Sequence, residues 1–226
     1  RAAAAAKCSL GASIRQTLPA GLADDIRRLR LTANVTPFTT LLAAFKLLLS
    51  RYTRQTDLIV GSATAGRNRP EFEKLIGLFI SNLVLRTDLS GDPPAHELLA
   101  RVQETLLGAS AHENVPLDFL AETLQPNRDL ARPPLFQVMF VMQNTPHAKL
   151  ELPGLTIRSF EVGTGAARFD LAVDVIEKDS TFDLRWEYNA GLFQASTMER
   201  MQGHFQRLLE GITAHPGLPI SQMKML

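Results

Sequence analysis

The stretch Leu135-Phe136-Gln137-Val138-Met139-Phe140-Val141-Met142 is apolar at every position except Gln137. A run of this kind is typical of a strand that is covered on both faces, because a strand with one solvated face alternates apolar and polar residues. Such strands lie inside sheets that have other structure packed against them. The stretch therefore predicts a layered protein built around a sheet.

Other segments have the pattern of further strands. They are short, rich in β-branched or aromatic residues or alternating in polarity, and they end at turn residues. The predicted strands are 13–18, 58–62, 78–85, 155–160, 169–176 and 182–188. We predict that 58–62 and 78–85 are interior strands of the sheet, since each is a compact apolar run between polar turns.

Apolar residues recur at helical spacing between these strands. The predicted helices are 22–34, 37–52, 94–111, 116–124 and 196–214. Thr36 is suited to the N-cap of the second helix and Pro37 to its first position, and the strongly apolar sequence that follows predicts deep burial. Helices interleave with strands early and strands cluster late, which predicts the α/β class, a mixed β-sheet with packed helices.

The composition favours one structured unit without a nucleic-acid or membrane partner. The chain has 226 residues, of which 45% are hydrophobic, and its formal charge is +1, too small to hold a polyanion or an anionic membrane. Cys8 is the only cysteine, and no apolar run reaches the ~20 residues that span a bilayer. We therefore expect a cytoplasmic protein, with 1–10 as a disordered segment or a linker remnant from a longer chain and 11–226 as the domain.

The chain carries no self-contained catalytic or metal-binding motif. It has no adjacent histidine pair, no Gly-x-Ser-x-Gly, no Walker loop and no clustered Cys/His spacing. The five histidines are scattered along the sequence. The residues alone therefore predict neither a catalytic residue nor a metal site.

Three segments resemble one family in the correct order. The segment Ile76 to Arg86, IGLFISNLVLR, resembles I-G-x-F-V-N-T-L-x-x-R, and His112 to Asp118, HENVPLD, resembles H-Q-D-x-P-F-E. The segment Arg128 to Phe140, RDLARPPLFQVMF, resembles R-D-x-S-R-x-P-L-F-Q-V-M-F. These are patterns of the nonribosomal peptide synthetase condensation domain, and the resemblance covers nearly the whole chain from about Gly11.

The resemblance implies the C-terminal lobe of such a domain. The family's domain has two related lobes, each with a chloramphenicol-acetyltransferase-like α/β sandwich, and its H-H-x-x-x-D-G catalytic motif lies in the first lobe. This chain has no counterpart of that motif. The implied reaction joins an acyl or peptidyl thioester to an aminoacyl amine.

The resemblance also implies the partners of the chain. They are the N-terminal lobe, the upstream and downstream peptidyl carrier proteins, and an adjacent adenylation domain. No cofactor is expected to bind directly, since the phosphopantetheine arms of the carrier proteins are substrates. The alternative is a non-catalytic condensation-like module that recruits or docks another protein, and a degenerate catalytic motif in the preceding lobe would favour it.

Polar residues on the apolar strands are the predicted substrate contacts. Ser81, Asn82 and Gln137 would line a tunnel and orient a substrate amide. The family's Asn-Thr pair appears here as Ser81-Asn82, and a shift of one position reverses the face of a strand. Either Ser81 faces the tunnel or Asn82 belongs to a local bulge. The other interpretation is that both side chains only satisfy backbone groups.

The remaining motif residues are predicted to be structural. His112 follows a helix, where its ring would bind a terminal carbonyl. Arg128, Asp129 and Arg132 would form ion pairs that fix the entry of the long strand, and Asp170 lies at the start of another strand.

A basic loop is the predicted contact with carrier proteins. Arg67 and Arg69 follow a strand and can face a partner that bears phosphate, although solvated arginines are an equally good interpretation. An isolated lobe would also expose unpaired strand edges and apolar surface.

Overall fold

The computed structural model describes residues 10–67, 69–73, 75–124, 133–143, 155 and 165–226, except for the side chain of Glu73. The helices are α1 (Ala20–Thr32), α2 (Pro37–Thr53), α3 (Pro70–Glu73), α4 (Ala95–Ala111), α5 (Leu117–Leu124) and α6 (Ala195–Ala214), followed by a short 3-10 helix at Ile220–Gln222. The strands are β1 (Gly11–Thr17), β2 (Asp57–Thr64), β3 (Ser81–Asp88), β4 (Val138–Gln143), β5 (Leu171–Glu177) and β6 (Phe182–Asn189).

These strands form one mixed sheet in the order β1-β6-β5-β4-β2-β3. Strand β4 runs parallel to both of its neighbours, β5 and β2, whereas the other pairs are antiparallel. The apolar run that decides the fold class therefore lies in the interior of the sheet, and the predicted mixed sheet is confirmed.

The helices pack on one face of this sheet. Residues of α1, α2, α4 and α6 form a single buried cluster with alternate residues of the strands. At its centre the ring of Trp186 lies 5.9 Å from that of Phe45 and 5.5 Å from that of Phe205, joining β6 to α2 and α6. Thr36 caps α2 as predicted, with its Oγ1 accepting a hydrogen bond from the Thr39 amide at 3.1 Å.

The opposite face of the sheet, called the open face below, has an apolar half and a charged half. Its side chains alternate with the buried ones along each strand. The apolar half is formed by Ile59, Ala63, Val84, Met139, Val141 and Ile176, which are half-buried or exposed. The charged half is formed by Arg15, Asp174, Asp183, Arg185 and Glu187.

Two predictions about the strands are wrong. The strand begins at Val138 rather than at Leu135, because Leu135 has a left-handed backbone (φ 66°). Among the described residues, helices cover only one face of this strand, and Phe140 is its fully buried residue. Strand β3 begins at Ser81 rather than at 78 and lies at the end of the sheet among the described residues. Its charged residues Arg86 and Asp88 are suited to such an edge.

Other predictions are confirmed within the described residues. The helices and the strands at 13–18, 58–62, 169–176 and 182–188 lie within a few residues of their expected positions. The strand predicted at 155–160 lies outside the described residues apart from Leu155. In the part of the chain that the structure describes, no single helix is long and apolar enough to cross a membrane, and α1 with α2 meet that criterion only as a pair bent by 112°.

A buried lysine connects α2 to the edge strand. Lys46 has no exposed surface, and its Nζ donates hydrogen bonds to the carbonyl of Leu85 at 2.7 Å and to Thr87 Oγ1 at 2.8 Å. Burial lowers the pKa of Lys46 from 10.5 to about 7, although the charge of Asp57 opposes this shift. The Asp57 carboxylate is itself paired with Arg86.

We predict that Lys46 makes stability increase with pH. Between about pH 7 and 10.5 the unfolded chain keeps a proton on this lysine that the folded chain has released, so its contribution to the free energy of unfolding rises by up to ~1.4 kcal/mol per pH unit. Urea unfolding at several pH values should show this slope in the wild type and not in Lys46→Met. The exposed control Lys224→Met should keep the slope, and equal slopes in all three proteins would contradict the prediction.

Candidate functional site

The first two motif segments meet at Glu113, in the turn between α4 and α5. Ser81 Oγ at the start of β3 donates to the main-chain oxygen of Glu113 at 2.9 Å. Thr64 Oγ1 at the end of β2 donates to Glu113 Oε2, also at 2.9 Å. One residue thus ties together the ends of two strands and a helix turn. Glu113 belongs to the second motif, but no role was predicted for it from the sequence.

The sheet turns Ser81 and Asn82 to opposite faces. The β2–β3 pairing is continuous from Asp57↔Asp88 to Thr64↔Ser81, so the described pairing contains no bulge at Asn82. Ser81 shares the helix-covered face with Leu83, and its hydroxyl is bonded to Glu113. Asn82 therefore lies on the open face. A substrate contact by either residue stays a prediction, and the geometry favours Asn82.

The third motif segment folds back over β2. The left-handed Leu135 turns the chain so that the ring of Phe136, only 2% exposed, lies on Gly61. A Cβ at Gly61 would be 2.1 Å from Phe136 Cε2, so this position needs glycine. The Phe136 ring stacks on Phe169 at 5.7 Å, and the guanidinium of Arg168 lies 5.7 Å above that second ring. These rings cover part of the open face.

Gln137 and Asp170 begin the pairing of the central strands. Gln137 Nε2 donates to the carbonyl of Pro133 at 3.2 Å, and its own carbonyl accepts from the Asp170 amide at 2.9 Å. The Asp170 carbonyl accepts from the Asn189 amide at 3.1 Å. This supports the structural prediction for Asp170 and leaves the tunnel-lining prediction for Gln137 untested. The predicted ion-pair residues Arg128, Asp129 and Arg132 lie outside the described residues.

His112 makes the contact expected of a capping residue. It occupies the C-cap of α4, and its Nδ1 lies 2.9 Å from the carbonyl oxygen of Gly108. The ring therefore carries a proton on Nδ1 and donates it to a terminal carbonyl of the helix. This geometry supports a structural role for His112, which stays a prediction.

Arg67 and Arg69 lie against aromatic rings of their own loop. The guanidinium of Arg67 is 4.5 Å from the centroid of Phe79, and that of Arg69 is 5.9 Å from the centroid of Phe72. Arg67 also donates to the carbonyl of Phe72. Their contact with a carrier protein stays a prediction, and Arg67 in particular is engaged within the loop.

Ion pairs connect the side chains in the charged half of the open face. Arg185 lies 2.8 Å from Asp174 on the neighbouring strand and 3.5 Å from Glu187 on its own strand. The ammonium of Lys178 bonds to Asp183, and this hydrogen bond holds the pKa of Asp183 below its usual range. Within the described ranges, no group of three or more His, Cys, Asp or Glu residues is placed to hold a metal ion.

Comparison with known proteins identifies the family. A family model for the condensation domain matches residues 3–226. The chain belongs to the condensation-domain family. A linear gramicidin synthase polypeptide of Brevibacillus parabrevis is 42% identical to this condensation-family chain over 218 residues, which are 96% of the chain and 3% of that relative. The chain thus spans a small part of the curated relatives that it matches.

Solved structures show the same fold. The X-domain from teicoplanin biosynthesis superposes with a TM-score of 0.87 and 29% identity, over 99% of this chain and 52% of that one, and in its complex with OxyB the TM-score is 0.85 at 28% identity. A four-domain nonribosomal peptide synthetase bound to AMP and glycine superposes with a TM-score of 0.87 at 21% identity, over 95% of this chain and 18% of that one. The predicted family and fold class are confirmed.

We predict that Gly61→Ala is destabilising because of Phe136. The added methyl would overlap the ring, and overpacking of this kind costs about 1–3 kcal/mol. Thermal and urea unfolding should show this loss. The stability lost through Gly61→Ala should be smaller in the Phe136→Ala background, where the double variant is compared with Phe136→Ala alone. A Cβ at Gly203 in α6 would meet nothing within 4 Å, so Gly203→Ala serves as the control and should not destabilise. Equal effects at the two glycines would refute the contact.

Proposed function

We propose that the chain is the C-terminal lobe of a nonribosomal peptide synthetase condensation domain. With a first lobe it encloses a channel in which an acyl or peptidyl thioester is joined to an aminoacyl amine. The open face is the observation that carries this proposal. It is one face of a sheet that is backed by helices on its other face, and half of it is apolar.

The apolar half of the open face requires a cover. Strand β4 has the sequence of a strand buried on both faces, yet among the described residues the helices cover one face, and only the rings of Phe136 and Phe169 lie over part of the other. A contiguous exposed apolar surface marks an interface in soluble proteins. Further exposed apolar residues lie in the β2–β3 loop, residues 65–80. They are Leu75, Ile76, Leu78 and Ile80, with exposed fractions between 50% and 104%.

The extent of the similarity supports a missing lobe. Nearly all of this chain superposes on 52% of the X-domain chain, so that homologue contains about as much chain again. The histidine motif H-H-x-x-x-D-G of the family does not occur here. In this proposal the first lobe supplies both the cover for the open face and the catalytic histidine.

The chain's own contribution to the reaction is positioning. Flexible phosphopantetheine arms must bring an amine and a thioester into contact away from bulk water, and a rigid wall restricts their approach. Asn82 supplies an amide on the open face that can orient a substrate amide. The proposed partners are the upstream and downstream peptidyl carrier proteins and an adjacent adenylation domain. The proposed location is the cytoplasm, where such assemblies act.

One observation favours a second candidate. The X-domain superposes on the chain equally well in its complex with OxyB, so a recruiting function is compatible with the same fold. The two candidates differ in the first lobe, because amide formation needs an intact histidine motif and recruitment does not. The sequence of the preceding lobe in the parent polypeptide distinguishes them.

We predict that this chain alone forms no peptide bond, because the family's catalytic histidine motif is absent from it. Incubated with a donor and an acceptor carrier protein, each loaded with its aminoacyl group, the isolated chain should yield no dipeptidyl thioester by mass spectrometry. The complete two-lobed domain should yield it under the same conditions. Product from the isolated chain would contradict the prediction, and absence of product from the complete domain would contradict the proposed function.

We also predict that a charge on the open face weakens binding of the first lobe. Met139→Lys places an ammonium in the middle of the apolar half, between Gly61 and Ala172 on the neighbouring strands, where binding would have to desolvate it. When the two lobes are produced separately, this variant should co-elute with the first lobe less than the wild type does. Leu31 on α1 is 85% exposed on the helical side, so Leu31→Lys is the matched control and should bind normally. Equal losses would contradict the assignment of the interface.

A further inference from the structure

Two arginines clamp a pair of stacked phenylalanines in the β2–β3 loop. The rings of Phe72 and Phe79 stack at 5.5 Å with an interplanar angle of 29°. Arg67 lies 4.5 Å from the centroid of Phe79, and Arg69 lies 5.9 Å from the centroid of Phe72. A guanidinium over an aromatic face is attracted by the ring's electrons. Each ring of the stack therefore lies near one guanidinium group.

The two ends of the loop are also in contact with each other. Gly66 has a left-handed backbone (φ 61°), and a Cβ there would be 1.9 Å from the carbonyl oxygen of Phe79, so the two backbones touch. Arg67 adds a hydrogen bond to the Phe72 carbonyl, which joins the two sides of the loop. These contacts give the loop a defined shape although it contains little regular structure.

This shape determines what the loop presents. Phe72 and Phe79 lie in the stack, whereas Leu75, Ile76, Leu78 and Ile80 remain outside and are largely exposed. These four apolar side chains are thus available to a partner surface that removes them from water. The loop also runs directly into Ser81 and Asn82, the first two residues of β3.

We propose that Arg67 is a positioning residue of the condensation reaction, supported by Arg69. It holds Phe79 and the Phe72 backbone, and so keeps the exposed apolar side chains of the loop in place for contact with the first lobe, next to Asn82 at the start of β3. It acts through the loop and touches neither substrate nor carrier protein. This inference rests on the proposed function and replaces the carrier contact that the sequence suggested for Arg67.

The test measures steady-state kinetics in the full-length polypeptide with its loaded carrier proteins. Arg67→Met should lower kcat by about tenfold, because loss of the clamp misplaces the wall of the channel, and it should change KM for each carrier by less than about twofold. Arg67→Lys keeps the charge but loses the planar stack, so kcat should fall here too. A carrier contact predicts the opposite pattern, with a raised KM for carrier in Arg67→Met and near-normal kinetics in Arg67→Lys.

Phe79→Leu tests the aromatic stack independently of the two arginine charges. It removes the aromatic platform and leaves both arginines in place, so it should reproduce the kcat loss of Arg67→Met, and the double variant should be no slower than either single variant. Arg30 is exposed on α1 away from the loop, and Arg30→Met should match the wild type. Additive losses in the double variant, or a normal kcat in Arg67→Met, would overturn the inference.

Hydrogen exchange provides a readout that does not depend on activity. Amides of residues 65–80 should exchange faster in Arg67→Met and Phe79→Leu, while those of α2 stay protected as in the wild type. Unchanged exchange in the loop would contradict the claim that Arg67 and Phe79 hold its conformation, even if the kinetics changed. A wild type that forms no product contradicts the proposed function itself, whereas an active wild type with a normal Arg67→Met contradicts only this inference.

Discussion

The structure depends on a sheet that is packed by helices on one face and left apolar on part of the other. Burial of the first face builds the hydrophobic core, with the rings of Phe45, Trp186 and Phe205 at its centre. Among the described residues, the rings of Phe136 and Phe169 cover part of the apolar half of the second face, and no helix packs over it. An apolar sheet surface of this kind is typical of a protein interface.

The family motifs make structural sense when they are placed on this sheet. Glu113 holds the ends of β2 and β3 against the turn after α4, and His112 closes that helix. Phe136 lies on Gly61, which must lack a side chain to admit the ring. These motif contacts serve to fix the wall and its edges. In the proposed function this chain therefore positions the reacting groups, and the reactive histidine lies in the first lobe.

Much of the fold can be predicted from local sequence patterns, because hydrophobic periodicity and helix capping depend only on short segments. The helices, the cap at Thr36 and the central position of the apolar strand were all predictable in this way. The edge position of β3 was not, since strand order depends on distant pairing. The fold-back of Phe136 also escaped prediction, because it requires Leu135 to adopt a left-handed backbone that leucine rarely takes. At the candidate site, the alternation of β3 correctly separated Ser81 from Asn82, but only the structure shows which face is open.

Carbene footprinting of the isolated chain and of the complete two-lobed domain tests the central claim most directly, since it reports which side chains solvent can reach. Labelling of Val84, Met139 and Val141 on the open face should fall sharply in the complete domain, while labelling of Leu31 on the helical side should stay the same. Equal labelling of the open face in both proteins would show that no lobe covers it, and would contradict this account.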